Sequence, residues 1–280
     1  MTTNEYRSSN NAVTDLPEQW TPERYEQFRV ERERPAHDLY ALLNPAPGGR
    51  AVDLGCGTGP LTALLAKVTG VEEVVGIDSS PAMLDAAKAY AGPGVKFEAG
   101  DLATWGDPAD PVDVVAANAS LQWVPNHAEV LTQWTGALRP GGQLAVQVPS
   151  NADHASHRVA VEVAGEARFA EAFAAAGGPP PDPVAANVLP PEAYAELLWD
   201  LGYADQQVRL QVYGPVMAST ASVVDWMAGT SLTRFERLLD RPTYVDLVDR
   251  YRERLLEVVG DRRPYFFAFK RILLWGQRAA

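Results

Sequence analysis

The sequence predicts an α/β fold: a doubly wound, mostly parallel sheet with helical cap insertions. Three observations predict it. Between residues 50 and 149, short apolar runs alternate with helical patterns at βαβ spacing. A glycine-rich turn, "GCGTG" at 55–59, stands between the first apolar run and the first helix of that series. The chain has 280 residues and 46% hydrophobic content, enough for one large domain or a core domain with a cap.

Residues 1–19 are polar and read as a disordered tail. Residues 20–47 read as an N-terminal helical lid. In "TPERYEQFRVERERPAHDLYALL", Thr21 suits an N-cap and Pro22 the first helical position. Apolar residues at 25, 28, 39, 42 and 43 predict two helical pieces broken near Pro35, and "NPAPGG" ends them.

Residues 48–150 read as the core. "RAVDL" (50–54), "EVVGID" (73–78), "VKFEAG" (95–100), "VDVVAAN" (112–118) and "GQLAVQVP" (142–149) are strands. Helices are expected from Pro60 to about Val68, over 80–90, and near His127–Leu138. Right-handed crossovers place such helices on both faces.

After Pro149 the pattern changes. Residues 151–185 read as a helical insertion, "HRVAVEVAGEARFAEAFAAA" (157–176), running into a Gly/Pro-rich loop. The loop, "GGPPPDPVAANVLPP" (177–191), reads as a linker or exposed segment. Residues 186–280 then supply a helix, "EAYAELLWDLG", and two strands, "DQQVRLQVYGPV" and "YFFAFKRILLWGQ" (265–277). Helices over 220–260 form a second cap insertion. The total is seven strands in a Rossmann-like sheet.

Composition restricts the partners. Lys and Arg total 24 against 36 Asp and Glu, a net charge of −12. This argues against nucleic acid, whose binding rests on phosphate neutralisation, and against an anionic membrane surface. A small anionic substrate would need a local cationic pocket. The one cysteine, Cys56, allows no internal disulfide. The first twenty residues lack a signal-peptide core, and no apolar run reaches the ~18 residues of a membrane span. A cytoplasmic location is expected. Charge is uneven: residues 151–205 carry nine acids and two bases, and 234–278 carry eleven bases and seven acids. The basic stretch is either a set of solvated helix faces or includes arginines directed inward at an anion.

The glycines of "DLGCGTG" are Gly55, Gly57 and Gly59. In a strand–turn–helix setting they permit a tight turn and close approach of a ligand to backbone N–H groups. The dinucleotide fingerprint wants a glycine where Pro60 stands, and a P-loop wants Lys-Ser/Thr after the glycines. Asp53, two residues before the first glycine, suits a cationic ligand better than a pyrophosphate. Asp78 ends the second strand, where a carboxylate can accept ribose hydroxyls or cap the next helix.

"VDLGCGTG" resembles the first motif of class I S-adenosylmethionine-dependent methyltransferases. The resemblance implies S-adenosyl-L-methionine as cofactor, with Gly55, Cys56, Gly57 and Gly59 around its methionine part and Asp53 near its amino group. It implies Asp78 on the ribose, Ser79 and Met83 beside the adenosine, and Asp101 with the Leu102 backbone on the adenine. Asn118 and Ala119 would border the cofactor. Gln122, Trp123 and His127 would face the methyl group, although Trp123 also reads as core and His127 as a helix cap. No metal is expected.

A closer resemblance joins "WTPERYEQFRVERERPAHDL", with Trp20, Tyr25, Phe28, Arg32, Arg34 and Pro35 in register, to "NASLQWVPNH", "GGQLAVQVPSN", "YAELLWDLG", "VVDWMAGTSL" and "FAFKRILL". Together they resemble trans-aconitate 2-methyltransferases over roughly residues 20–275. This implies methyl-ester formation on a small polycarboxylic acid, with Arg32, Arg34 and Arg271 as candidate anion anchors and Tyr25 and Trp226 closing the pocket. The alternative is another small-molecule or natural-product acceptor. A phenol or carbon acceptor would need His127 as a base.

Overall fold

This computed structural model describes residues 29–280, with side chains from Glu33 onward. The expected 1–19 tail, the lid residues Trp20, Tyr25 and Phe28, and the side chain of Arg32 lie outside the described residues.

Among the described residues nine strands are present: β1 Arg50–Leu54, β2 Glu73–Asp78, β3 Val95–Ala99, β4 Val112–Asn118, β5 Leu138–Pro149, β6 Tyr203–Tyr213, β7 Val216–Met217, β8 Tyr265–Phe266 and β9 Phe269–Arg278. Seven form one sheet in the order β3-β2-β1-β4-β5-β9-β6. Strands β1 to β5 are parallel, and β9 runs antiparallel to both β5 and β6. The remaining two, β7 and β8, make a small antiparallel ribbon. The apolar run expected as one strand over 265–277 is therefore split. Phe267 leaves the strand direction to bury in the cap, donating its N–H to the Pro215 carbonyl at 3.0 Å.

Both faces of the sheet are covered, which is why the middle of β4, Val114–Ala117, reads as an unbroken apolar run rather than an alternation. On one face Ala51, Val114, Ala116, Ala145, Leu273 and Trp275 pack under Leu39, Tyr40 and Leu65. On the other, Val52, Leu54, Val115, Val146 and Leu274 pack against Leu131, Trp134, Tyr194 and Leu198. Strand order reverses between β1 and β4, so a crevice opens at their carboxyl ends.

The helix Arg29–Tyr40 does not break at Pro35 but runs through it. An interior proline costs a hydrogen bond and ~3 kcal/mol or more. Burial of Pro35, Ala36, Leu39 and Tyr40 against the sheet opposes that cost, since each large apolar side chain contributes about 1.5–3 kcal/mol. Here tertiary packing overrides local propensity.

The cap has its own core, with Phe169, Phe173, Trp226, Phe235, Tyr251 and Phe267 at its centre. Its longest helix, Arg241–Val259, begins where the Asp240 carboxylate accepts the Thr243 N–H at 2.8 Å. It lies along the helix Ala155–Ala164, and the Tyr251 hydroxyl donates to the Ser156 carbonyl at 3.1 Å. The uneven charge of the sequence is largely resolved here. Arg250 pairs with Glu166 at 2.9 Å, Arg254 with Glu162 at 2.8 Å, and Arg168 with Asp246. Exposed pairs of this kind contribute ~0–1 kcal/mol each.

The expected continuous helix over 157–176 ends at Gly165 and resumes only as short turns. The Gly/Pro-rich segment is more than an exposed loop. Asp182 and Val184 are buried, and Asp182 caps the short helix Pro183–Asn187 by accepting the Val184 N–H at 2.9 Å. Among the described residues, no helix is long and apolar enough to cross a membrane.

Candidate active site

The crevice holds a cavity of about 650 Å³, well sized for a small-molecule site. The core lines it with Gly55, Gly57, Asp78, Ser79, Met83, Asp101, Leu102, Asn118, Ala119 and Trp123, all expected site residues. The cap lines it with Pro180, Pro181, Pro183, Arg234, Arg237 and Leu238, none of which sequence reasoning selected.

The glycine turn is held from two sides. The N–H groups of Gly55 and Cys56 both donate to the Ile77 carbonyl, at 2.7 and 3.0 Å. Gly57 donates its N–H to Asp78 Oδ2 at 2.9 Å, while Asp78 Oδ1 accepts from the Ser80 N–H at 2.9 Å. Capping of the helix Pro81–Ala87 falls to Ser80, whose hydroxyl accepts the Met83 N–H at 3.3 Å. Asp78 therefore ties the turn to β2 and lines the cavity, rather than serving as the helix cap.

Asp53 and Cys56 lie behind the cavity wall. Asp53 is 2% exposed and accepts from the Thr62 hydroxyl at 2.7 Å. Burial raises its carboxyl to about 6, with a smaller push from the Asp78 charge, although the Thr62 hydrogen bond opposes both. Burial likewise pushes the Cys56 thiol far above its usual range, and the Asp53 and Asp78 charges push the same way. Gly59 also sits beneath the surface: a Cβ there would lie 2.8 Å from the Phe97 ring. Of the two acids that flank the turn, Asp78 lines the cavity and Asp53, expected near the cofactor's amino group, lies buried behind it; the turn itself carries no cationic side chain. That chemistry suits a sulfonium nucleoside with an ammonium group and not a phosphate.

The Asp53 shift has a measurable sign. Its folded-state value lies above the ordinary carboxylate value, so folding favours the protonated form. That contribution is full below the ordinary value and is lost as pH rises through about 6. Without cofactor, the wild-type protein is expected to lose roughly 2–3 kcal/mol more stability than Asp53→Asn between about pH 4 and about pH 7. Urea unfolding across that range measures it, and parallel pH profiles would count against a neutral buried carboxyl.

After β4 the chain turns sharply. Ala119 takes a left-handed conformation, φ +53°, which costs a non-glycine residue ~1–3 kcal/mol. It is held there by its N–H donating to the Gln147 carbonyl at 2.9 Å and by Gln122 Nε2 donating to its own carbonyl at 2.6 Å. Asn118 Oδ1 and Gln122 Oε1 are buried with no hydrogen-bond partner. Strain and unpaired acceptors together mark the end of β4 as built for a ligand.

Several expected substrate-facing residues are placed elsewhere, and Gln122, which is buried, does not line the cavity. His127 is 2% exposed and does not line the cavity. Its Nε2 lies 3.0 Å from the Leu121 carbonyl and its Nδ1 2.6 Å from the Tyr194 hydroxyl. A carbonyl only accepts, so Nε2 carries the proton and Nδ1 accepts from Tyr194. Burial lowers the His127 pKa further. Both nitrogens are committed to a neutral structural role, which leaves none for a base. Arg271 also does not line the cavity; its guanidinium lies 4.7 Å from the Phe269 ring centre and donates to the Lys270 carbonyl. Arg34 lies over the Tyr213 ring at 6.0 Å, and Trp226 packs edge-on to Phe267 in the cap core. Among the described residues, no cluster of His, Cys, Asp and Glu is arranged to hold a metal ion.

Similar proteins agree with this architecture. The YcgJ protein from Bacillus subtilis superposes with a TM-score of 0.57 at 15% identity, covering 88% of this chain and 98% of its own, a likeness of fold alone. Residues 51–142 match the family model of a methyltransferase domain. Fold and site define a class I S-adenosylmethionine-dependent methyltransferase, and S-adenosyl-L-methionine is its cofactor. The trans-aconitate 2-methyltransferase of Deinococcus radiodurans is 40% identical over 268 residues, 92% of this chain and 98% of the relative. That of Streptomyces avermitilis is 37% identical over 271 residues, 93% and 97% respectively. The chain belongs to the trans-aconitate 2-methyltransferase family.

Proposed function

We propose that the protein methylates a carboxylate of trans-aconitate or a closely similar small polycarboxylic acid, forming a monomethyl ester. The supporting observation is the composition of the cavity wall. Among the described residues it contains no histidine, cysteine, lysine or tyrosine. Its two acids, Asp78 and Asp101, belong to the donor's side in this reading, which leaves an acceptor that must lose a proton without a base beside it. A carboxylate, with a reference pKa near ~4, arrives already ionised. The near-full-length relatives named for this activity favour the same substrate.

When bound, S-adenosylmethionine would supply an electrophilic methyl group and a neutral thioether leaving group, so an ionised carboxylate could serve as acceptor. No proton changes hands. The protein's own contribution is placement. The Gly55–Gly59 turn, Asp78 and Asp101 hold the donor's side of the cavity. Asn118, Ala119 and Trp123 border the space between donor and acceptor, and the proline-rich cap segment keeps water out. Alignment of this kind supplies on the order of 7–11 kcal/mol of a barrier.

The test is incubation with methyl-labelled S-adenosylmethionine and a panel of di- and tricarboxylic acids. A labelled, base-hydrolysable monomethyl ester is the expected product, identified by mass spectrometry. Labelling of a phenol, amine or carbon acceptor in preference to every acid would overturn the reading.

A further inference from the structure

We propose that Arg234 is the substrate-anchoring residue, and that its Nε–Nη2 edge receives a carboxylate of the acceptor other than the one methylated. This deepens the reading of the acceptor as a polycarboxylic acid and rests on it.

Arg234 lies on the short cap helix Thr233–Glu236, lines the cavity and is 6% exposed. Its hydrogen bonds are unevenly spent. Nη1 donates to the Ser231 carbonyl at 2.6 Å and also to the Ser231 hydroxyl. Nε and Nη2 are buried with no hydrogen-bond partner. These two atoms are neighbours on one edge of the guanidinium, the edge that matches the two oxygens of a carboxylate. A buried cation with a whole donor edge unpaired is costly unless something completes it.

The surroundings fix the guanidinium without satisfying it. Asp182 Oδ2 stands 4.0 Å from Nη2, near enough to balance charge and too far to hydrogen-bond. That carboxylate is already engaged by His157 Nδ1 at 2.7 Å and by the Val184 N–H at 2.9 Å. Although burial alone would raise Asp182, the His157 hydrogen bond and the nearby His157 and Arg234 charges hold it below its usual range. Asp182 thus stays anionic as a counter-charge. Phe235, with its ring centre 4.2 Å from the guanidinium carbon, covers one face. Both unpaired donors are sealed from solvent in this conformation. An entering carboxylate reaches them as the guanidinium or the facing Pro180–Pro183 loop gives way, and the pair then closes in a dry setting. Arg237, three residues on and lining the same cavity, adds positive charge nearer solvent.

The experiment uses the full chain saturated with S-adenosylhomocysteine, with trans-aconitate as the probe, and compares wild type, Arg234→Gln and Arg234→Lys. Calorimetry of trans-aconitate binding is expected to show a loss of 100-fold or more in Arg234→Gln and about 10-fold in Arg234→Lys, whose ammonium offers a point charge rather than an edge. S-adenosylhomocysteine binding should stay within three-fold. In turnover, KM for trans-aconitate should rise by the same factors. The preference for trans-aconitate over crotonate, which lacks a second carboxylate, should collapse in Arg234→Gln. Trans-aconitate affinity within three-fold of wild type in either variant overturns the anchoring role. Should Arg234→Gln fail to fold, Arg234→Lys keeps the buried charge and decides by the same criterion. Absence of binding to wild type also overturns it. Wild type that binds trans-aconitate through Arg234 yet methylates no acid would overturn the proposed reaction and leave the anchor standing.

Discussion

Asp78→Ala is expected to weaken S-adenosylhomocysteine binding by about 10²–10³-fold. The carboxylate does two things at once. It holds the glycine turn by accepting from Gly57 and the β2 exit by accepting from Ser80, both at 2.9 Å, and it lines the cavity where a nucleoside's hydroxyls would lie. Hydrogen bonds to a charged group are worth about 1.5–3 kcal/mol each, and each 1.4 kcal/mol is tenfold in affinity. Loss of two bonds to the nucleoside hydroxyls, at about 1.5–2 kcal/mol each, gives the stated range. Asp78→Asn keeps an acceptor oxygen and should fall between. Isothermal titration calorimetry measures both variants. Affinity for the alanine variant within tenfold of wild type, with the fold intact by circular dichroism, would remove Asp78 from the cofactor site.

The second large effect separates two glycines that look alike in sequence. Both take positive φ, +75° at Gly55 and +55° at Gly57. A Cβ on Gly55 would lie 2.3 Å from the Ser120 Cβ, and Ser120 is itself pinned by its hydroxyl donating to the Leu54 carbonyl at 2.6 Å. A Cβ on Gly57 would meet nothing within 4 Å. Gly55→Ala combines backbone strain with overpacking and should cost about 2–5 kcal/mol of stability, together with cofactor binding. Gly57→Ala should cost only ~1–2 kcal/mol of stability, the left-handed penalty alone. Its methyl group would project into open space on the turn that lines the cavity, so cofactor affinity should still fall by about 10-fold or more. Thermal unfolding and calorimetry on the two variants check the contrast. Equal stability loss in both would show that Ser120 yields.

The core sheet was legible because its signals are local. "RAVDL" followed by three close glycines, and β4 with its apolar stretch Val114–Ala117, fix both the parallel strands and the crevice between them. Residues that line the cavity at or just beyond the carboxyl end of a strand, such as Asp78, Asp101 and Asn118, follow from the same rule. The acceptor side was not legible, because it is assembled from the cap. Arg234 lies 115 residues beyond Ala119 in the chain, on a four-residue helix without a recognisable motif, and only tertiary packing brings it to the cavity. The count of eleven bases in 234–278 could not distinguish Arg250 and Arg254, which pair across helices, from the buried Arg234. His127 misled for the opposite reason. It stands next to the site in sequence, but the Tyr194 hydroxyl, 67 residues away, occupies its ring.

The buried thiol in the glycine turn bears on the enzyme's own survival. A protein that stores an alkylating agent against its backbone must not present it with a better nucleophile than the intended acceptor, and sulfur anion is a better one than carboxylate. Cys56 is the chain's single cysteine and neighbours the turn, yet its burial and the two flanking acids keep the proton on sulfur at any physiological pH. The two acids beside the turn, Asp78 on the cavity wall and Asp53 behind it, therefore also help hold the thiol in its unreactive, protonated form.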